Sequence, residues 1–573
     1  MRLGLSASLF VMVALAALAF VQLNAPFSQW RWEDSFPPHF TTVDPLVYTW
    51  HARQVSEHED LYTFSDSVRG LPHVIPTYPP LQAILTASVG KFTTVHIHHL
   101  EWIMVVLETI WLPLLVFLLA RRLFSMDAAL LTLPLTLFPP TMWLFKSYIG
   151  HWGDVISMFF AAAALMLTIL LTEKQKFFTS ALTGVLLAAM FIAHAFEAVL
   201  IAAFTCGWLT LTGMARKEKR RLILHAVITG AVFLALIAHF FPVVMNVPLG
   251  EVAKGQSPLL GAGKIPDYYP RVRLSWAMLL LAVPALVFLR QELAKARISS
   301  SRATYVVFLV FLAAAALTYH LGTGYRFYRL LYSWYFFYAL VPALGAFVLL
   351  STALSGRKRL IRPIVLIGVL AVSFFLLRGN DAQFKQMGSR PLADQTMWDA
   401  ISWISEHTPK DATVFTLNEF IHGFPQYFTN RNTLDVDLSK DAQLGNIIAL
   451  CNGTYPDVWA VRCNAGWSGA PTDKDGRIRF ITARHGWNSF LWTEGPLCKD
   501  YLPEKREGFA SQASYLPMDY FDYMMVQYRG TGKWLGQNYD RCMGFFINES
   551  LARGLQVVWN NDEFAVLVNA DGQ

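Results

Sequence analysis

The chain has 573 residues, of which 54% are hydrophobic and only 15% charged, with a mean hydropathy of +0.37. Soluble globular proteins carry about a quarter charged residues, so this composition argues against an ordinary soluble protein and for a bilayer. The net charge of +7 sits in short basic clusters between apolar runs, which is a membrane-topology pattern and not a nucleic-acid-binding face.

Residues 3–23 are apolar behind Met1-Arg2, too long for a signal-peptide core and without an obvious small-residue cleavage site, so a retained first helix is expected. Further apolar runs at 102–120, 127–146, 154–172, 177–193, 196–213, 222–242, 273–290, 303–320, 331–351 and 361–377 complete the expected fold class. It is an α-helical polytopic membrane protein with about eleven transmembrane helices. With the N-terminus inside, the cytoplasmic turns are Arg121-Arg122, Lys174/Lys176, Arg216 to Arg221, Arg290 to Arg302 and Arg357 to Arg362, and every one is basic. That agreement requires residues 77–95 to lie along the outer surface and not to cross. An odd number of spans then divides the chain into a transmembrane domain, 1–378, with a large first outer loop at 24–100, and an extracytoplasmic α/β domain, 379–573.

The outer face accordingly holds the first loop, Tyr148–Asp154, a loop at 243–272, the turn His320–Arg329 and the C-terminal domain. Cys451, Cys463, Cys498 and Cys542 fall in that domain, and Cys206 lies in an apolar run. Their spacing fits no zinc pattern. Two disulfides, Cys451–Cys463 and Cys498–Cys542, are the expected pairing for an extracytoplasmic domain, with four free thiols the alternative. Asn452-Gly453-Thr454 and Asn548-Glu549-Ser550 have the form of glycosylation acceptors, a triplet common by chance.

Several polar residues need explaining. Asp44 stands before Pro45, where an aspartate also serves as a helix N-cap. Asp154 sits at the outer edge of a span, where a carboxylate costs on the order of 2–3 kcal/mol unless it has a partner or a cation; a helix N-cap is the alternative reading here too. Two such carboxylates on separate loops of one face could hold Mg2+ or Mn2+, which favour oxygen ligands. Arg326 and Arg329, at the outer end of a span among aromatic residues, suit phosphate oxygens, although snorkelling at an aromatic belt also accounts for them. His96, His98 and His99 flank a span with no companion Cys or carboxylate triad, and His194 with Glu197 reads as a structural pair or a lumen-facing cap. Glu251, in an outer loop, reads on its own as solvated.

Taken together these residues resemble the GT-C superfamily of membrane glycosyltransferases. Val43-Asp44-Pro45-Leu46-Val47-Tyr48 is similar to the Asp-Pro-aromatic motif of oligosaccharyltransferase catalytic subunits, and Tyr325-Arg326-Phe327 to their outer Arg-Phe. In the final third, Trp403 to Pro409, Ala412 to Phe415, Asn418 to Phe424 and Asn430 to Asp437 follow the family order: a helix ending in Thr-Pro, a strand, the Trp-Trp-Asp-Tyr-Gly motif and an Asn-Arg-Thr segment. The third motif is degenerate, with Leu417-Asn418-Glu419 in place of Trp-Trp-Asp, which implies an acceptor other than an Asn-X-Ser/Thr sequon.

The resemblance implies a sugar or oligosaccharide transferred from a polyprenyl-phosphate or pyrophosphate donor to a glycan, lipid or protein acceptor on the extracytoplasmic face of a plasma or endoplasmic-reticulum membrane. It implies Asp44 and Asp154 as catalytic and metal-binding residues, with Glu251 as a third ligand to a divalent cation. Arg326 and Arg329 would bind the donor phosphate, and Asn418, Glu419 and His422 the acceptor. A metal-independent, monophosphate-using enzyme of the protein-mannosyltransferase type is the nearest alternative. A transporter or flippase, which would show paired halves and broken helices, and a non-catalytic envelope assembly protein are the others.

Overall fold

A computed structural model describes residues 48–49, 52–53, 55–56, 64–66, 71–74, 81–137, 152–216, 219–238, 276–294, 299–318, 335–387, 395–410, 412–417, 429, 431–435, 450–455, 458–463, 512–517, 521–529 and 539–569. The expected first helix at 3–23 lies outside them. Beyond residue 100, each apolar run is occupied by a helix: α2 (Ile97–Leu123), α3 (Met126–Leu137), α4 (Trp152–Lys174), α5 (Phe177–Ala193), α6 (Ala195–Ala215), α7 (Arg221–Ala238), α8 (Trp276–Ala294), α9 (Ser300–Thr318), α10 (Tyr335–Ala353) and α11 (Ile361–Met387). Among the described residues, four helical stretches are long and apolar enough to cross a membrane: Ile97–Leu123, Val155–Lys174, Glu197–Ala215 and Arg221–Ala238. Helix α1 (Leu81–Gly90) has ten residues, a rise of about 15 Å, and so falls short of a hydrocarbon core of about 30 Å. A short two-stranded ribbon, β1 (Phe64–Asp66) with β2 (Leu71–Val74), precedes it.

Most of the helices share one apolar core, into which Phe117, Leu165, Leu187, Tyr305, Phe308 and Phe337 are buried, while α8 packs through Ala285 and Leu289 on Leu344 of α10. Small residues set the closest crossings. A Cβ at Gly345 of α10 would overlap the carbonyl oxygen of Leu281, so glycine is what lets α10 lie against α8. Sparse hydrogen bonds tie neighbours across the core: Trp208 Nε1 donates to Thr304 Oγ1 at 2.8 Å, and the Tyr305 hydroxyl to the Phe337 carbonyl at 2.6 Å.

The basic turns gather at one end of the bundle. Arg122 pairs with Glu173, which also accepts from Ser301. Arg302 pairs with Glu292 and donates to the Leu123 carbonyl at 2.7 Å. Lys219 donates to the Thr172 carbonyl and to Ser300 Oγ, at 2.9 and 2.8 Å, and Arg362 bonds Asp127 at 3.0 Å. Cations thus bond free carbonyls at helix C-termini, where the backbone dipole favours them.

Helix α11 has 27 residues, about 40 Å, and runs through position 378 to Met387. Helix α12 (Gln395–His407) follows; it buries Met397, Ala400, Ile401 and Ile404, the i, i+3, i+4, i+7 stripe of an amphipathic helix. The stripe lies beside a five-stranded mixed sheet of order β4-β3-β7-β9-β8: β3 (Thr413–Leu417), β4 (Asn432–Asp435), β7 (Tyr523–Gln527), β8 (Leu555–Asn560) and β9 (Phe564–Asn569). Strand β3 is parallel to β4 and β7, while β9 is antiparallel to β7 and β8. Helix α13 (Tyr539–Ala552) packs through Cys542, Met543 and Phe546 on Phe415, Met524, Val526 and Leu567. Central strand β7 is therefore buried throughout. A separate antiparallel pair joins β5 (Val458–Cys463) to β6 (Gln512–Pro517).

Arg431 belongs to the Asn-Arg-Thr-like segment and has a structural task. It is buried, and its guanidinium donates to Thr408 Oγ1 at 2.9 Å, the Ser405 carbonyl at 2.6 Å and the Thr408 carbonyl at 2.7 Å, closing the C-terminus of α12. Burial lowers its pKa from the ordinary guanidinium value.

The disulfide differs from the expected pairing. Cys451 bonds Cys542, with Cα atoms 4.5 Å apart and a sequence separation of 91. The reason is tertiary: Cys542 lies in the core under α13, and Cys451 is packed against that same core. Tyr455 Oη and Ser550 Oγ, 2.8 Å apart, reinforce the junction. Neither Cys451–Cys463 nor Cys498–Cys542 can then form. Cys463 ends β5, and Cys498 lies outside the described residues.

Candidate active site

At the end of the bundle opposite the basic turns, the first loop meets the start of α4. Residues 48–49, 52–53 and 55–56 are helical, with Tyr48, Thr49, Ala52 and Val55 buried. Two adjacent side chains fix this segment in two directions. The Gly153 N–H, one of the amides left free at a helix N-terminus, donates to Tyr48 Oη at 3.1 Å. Thr49 Oγ1 donates to Glu101 Oε2 of α2 at 2.5 Å. A Cβ on Gly153 would stand 2.7 Å from Tyr48 Oη and 3.1 Å from the Ala193 carbonyl oxygen, so the contact needs glycine.

Asp154 follows Gly153 in the first turn of α4, where the helix dipole favours a carboxylate; of Asp154 only the backbone is described. One turn on, buried Ser157 donates to Glu197 Oε2 of α6 at 2.7 Å, so the second residue of the expected His194–Glu197 pair serves to bind α4 to α6. The imidazoles of His96, His98 and His99 crowd the start of α2, with His98 and His99 rings 4.2 Å apart. His98 also meets Trp398 of α12, centroids 5.8 Å apart, which brings the C-terminal region to this same end.

Among the described residues, no group of three or more His, Cys, Asp or Glu is arranged to hold a metal ion, the histidine cluster included. The positions Asp44, Glu251, Arg326, Arg329, Asn418, Glu419 and His422 lie outside the described residues. What the described residues bring together is the immediate neighbourhood of two expected site residues: Tyr48, four positions after Asp44, touches Gly153, one position before Asp154.

Sequence reasoning missed the acids on α2. Glu101 and Glu108 are seven residues apart on one face, both buried; Glu101 Oε1 and both oxygens of Glu108 have no hydrogen-bond partner among the described residues. An acid inside an otherwise apolar run was the available signal.

No family model matches the chain, and no curated protein matches it by sequence. Solved structures do resemble it. The oligosaccharyltransferase AglB of Archaeoglobus fulgidus, in complex with an inhibitory peptide and a dolichol-phosphate, aligns at 13% identity and a TM-score of 0.49 over 75% of this chain. The alignment spans 65% of the archaeal protein, just under two thirds of its length. ArnT of Cupriavidus metallidurans, bound to undecaprenyl phosphate, aligns at 12% identity and a TM-score of 0.49 over 98% of both chains.

Proposed function

We propose that this protein is a GT-C-type glycosyltransferase that moves a sugar or oligosaccharide from a polyprenyl-linked phosphate or pyrophosphate to an acceptor at the extracytoplasmic face of its membrane. The observation that carries the reading is the Tyr48–Gly153 contact. Four extended residues reach at most about 14 Å, so the backbone of Asp44 stays within that distance of Tyr48, whose hydroxyl is bonded beside Asp154. On this reading two acids from separate elements share one end of the bundle, the end away from the basic turns. By the positive-inside rule that end faces outward.

The donor set fits a divalent cation: Asp44 and Asp154, with Glu251 as third ligand, offer only oxygen, as Mg2+ or Mn2+ prefers. Such an ion, when bound, neutralises charge growing on the departing phosphate. The protein's own groups do the rest. Asp44 orients the acceptor nucleophile and accepts its proton as it attacks the anomeric carbon. As the bond from that carbon to the phosphate oxygen breaks, Arg326 and Arg329 hold the leaving group, charge meeting charge where it develops. The helix grooves take the isoprenoid tail, and Asn418, Glu419 and His422 bind the acceptor.

Asp44→Ala and Asp154→Ala, each checked for folding by its melting temperature, should abolish transfer from a lipid-linked donor in reconstituted vesicles. Wild-type rates in both variants would reject the assignment. Full activity in the presence of chelator would instead favour a metal-independent enzyme that uses a monophosphate donor.

A further inference from the structure

We infer that the cleft between α13 and strand β8 is a docking site for a neutral pyranose unit of a glycan; that the glycan belongs to the protein's acceptor or product rests on the glycosyltransferase reading above. The cleft has a volume of about 420 Å3, within the range of small-ligand sites. One stripe of α13 forms a wall, with Asp540, Gly544, Ile547 and Asn548 at i, i+4, i+7 and i+8. Val557 and Asn560 of β8 line it opposite, together with Tyr528 and Arg529.

Gly544 is the telling residue. It stands mid-helix, where glycine is a poorer helix former than alanine. Its backbone is not among the positive-φ glycines, and an added Cβ would meet nothing within 4 Å. Neither conformation nor close packing asks for glycine here. What the missing side chain provides is room in the cleft.

The chemistry of the lining selects the ligand. Arg529, stacked 5.9 Å from the Tyr528 ring centroid, and Asp540 supply one charge of each sign, so the cleft is neutral and favours a neutral guest. Asn548 and Asn560 each offer donors and an acceptor, suited to adjacent hydroxyls. Val557 and Ile547 give apolar surface for the C–H faces of a sugar ring. Such an alternation of planar polar groups and small apolar patches matches a pyranose better than a lipid or a free anion.

The test uses the full chain in detergent, with N,N′-diacetylchitobiose and maltose as neutral probes and glucuronic acid as the charged control. Binding is read by saturation-transfer NMR. At least one neutral disaccharide should bind, and at least ten-fold more weakly to Gly544→Leu and to Asn548→Ala/Asn560→Ala. Gly544→Ala should fold and melt no lower than wild type while binding more weakly, which separates loss of the cleft from loss of the fold. Asp154→Ala should keep wild-type binding, so a failed active-site assignment and a failed docking site give different results. Undiminished binding in Gly544→Leu and Gly544→Ala, preference for glucuronic acid, or no binding of either disaccharide to the wild type would overturn the inference.

Discussion

Substituting Gly153 by alanine tests the junction on which the proposed active site depends. The added methyl would lie 2.7 Å from Tyr48 Oη and 3.1 Å from the Ala193 carbonyl oxygen, both inside normal contact. Overpacking of this kind costs about 1–3 kcal/mol. Displacing Tyr48 also strands the Gly153 amide, now bonded at 3.1 Å, for about 1–3 kcal/mol more. The two costs are coupled, because Tyr48→Phe removes the hydroxyl that the new methyl would strike. The double variant should therefore melt no lower than the worse single one, with a coupling of about 1 kcal/mol. Activity should suffer more than stability, since a misplacement of about 1 Å at a reacting group costs roughly 100-fold in rate. Transfer from a lipid-linked donor and thermal melting of both single variants and the pair provide the assay. Wild-type transfer by Gly153→Ala, or strictly additive losses in the pair, would refute the reasoning.

Two other expectations concern the C-terminal region. Arg431→Met keeps the bulk of the stem but strands the Ser405 and Thr408 carbonyls, and should destabilise this region by about 3 kcal/mol; limited proteolysis at the end of α12 would report it. Peptide mapping without reductant should recover a Cys451–Cys542 link, and Cys451→Ser/Cys542→Ser should lose about 4–5 kcal/mol, given the 91-residue separation. A Cys451–Cys463 peptide would contradict the fold.

The helical bundle was legible because membrane helices must satisfy their backbone internally and must be apolar over a fixed length. Prolines did not obscure the runs: Pro113 and Pro134 lie inside α2 and α3. Asp154 was legible as the start of a span, and α4 indeed opens at Trp152. The bond that gathers the site was not, since nothing local in Tyr48 or Gly153 announces a partner 105 residues away. The disulfide was misread for the same reason. The expected partner of Cys451 was Cys463, whereas the core under α13 chose Cys542. At the sheet edge, a bulge between Val557 and Trp559 shifts the register, and Trp559 is delivered to Trp403 of α12, 6.4 Å away. Alternation counted along β8 would have put that ring on the other face.

The basic end carries one consequence for motion. Arg122, Arg302 and Lys219 rivet α2, α4, α8 and α9 together, and Arg362 ties α11 to α3, by ion pairs and hydrogen bonds. Helices pinned at one extremity can splay only at the other, like staves held by a single hoop. Any splaying of these helices is thereby directed to the end where Tyr48 and Gly153 meet, and the rivets act as the fulcrum.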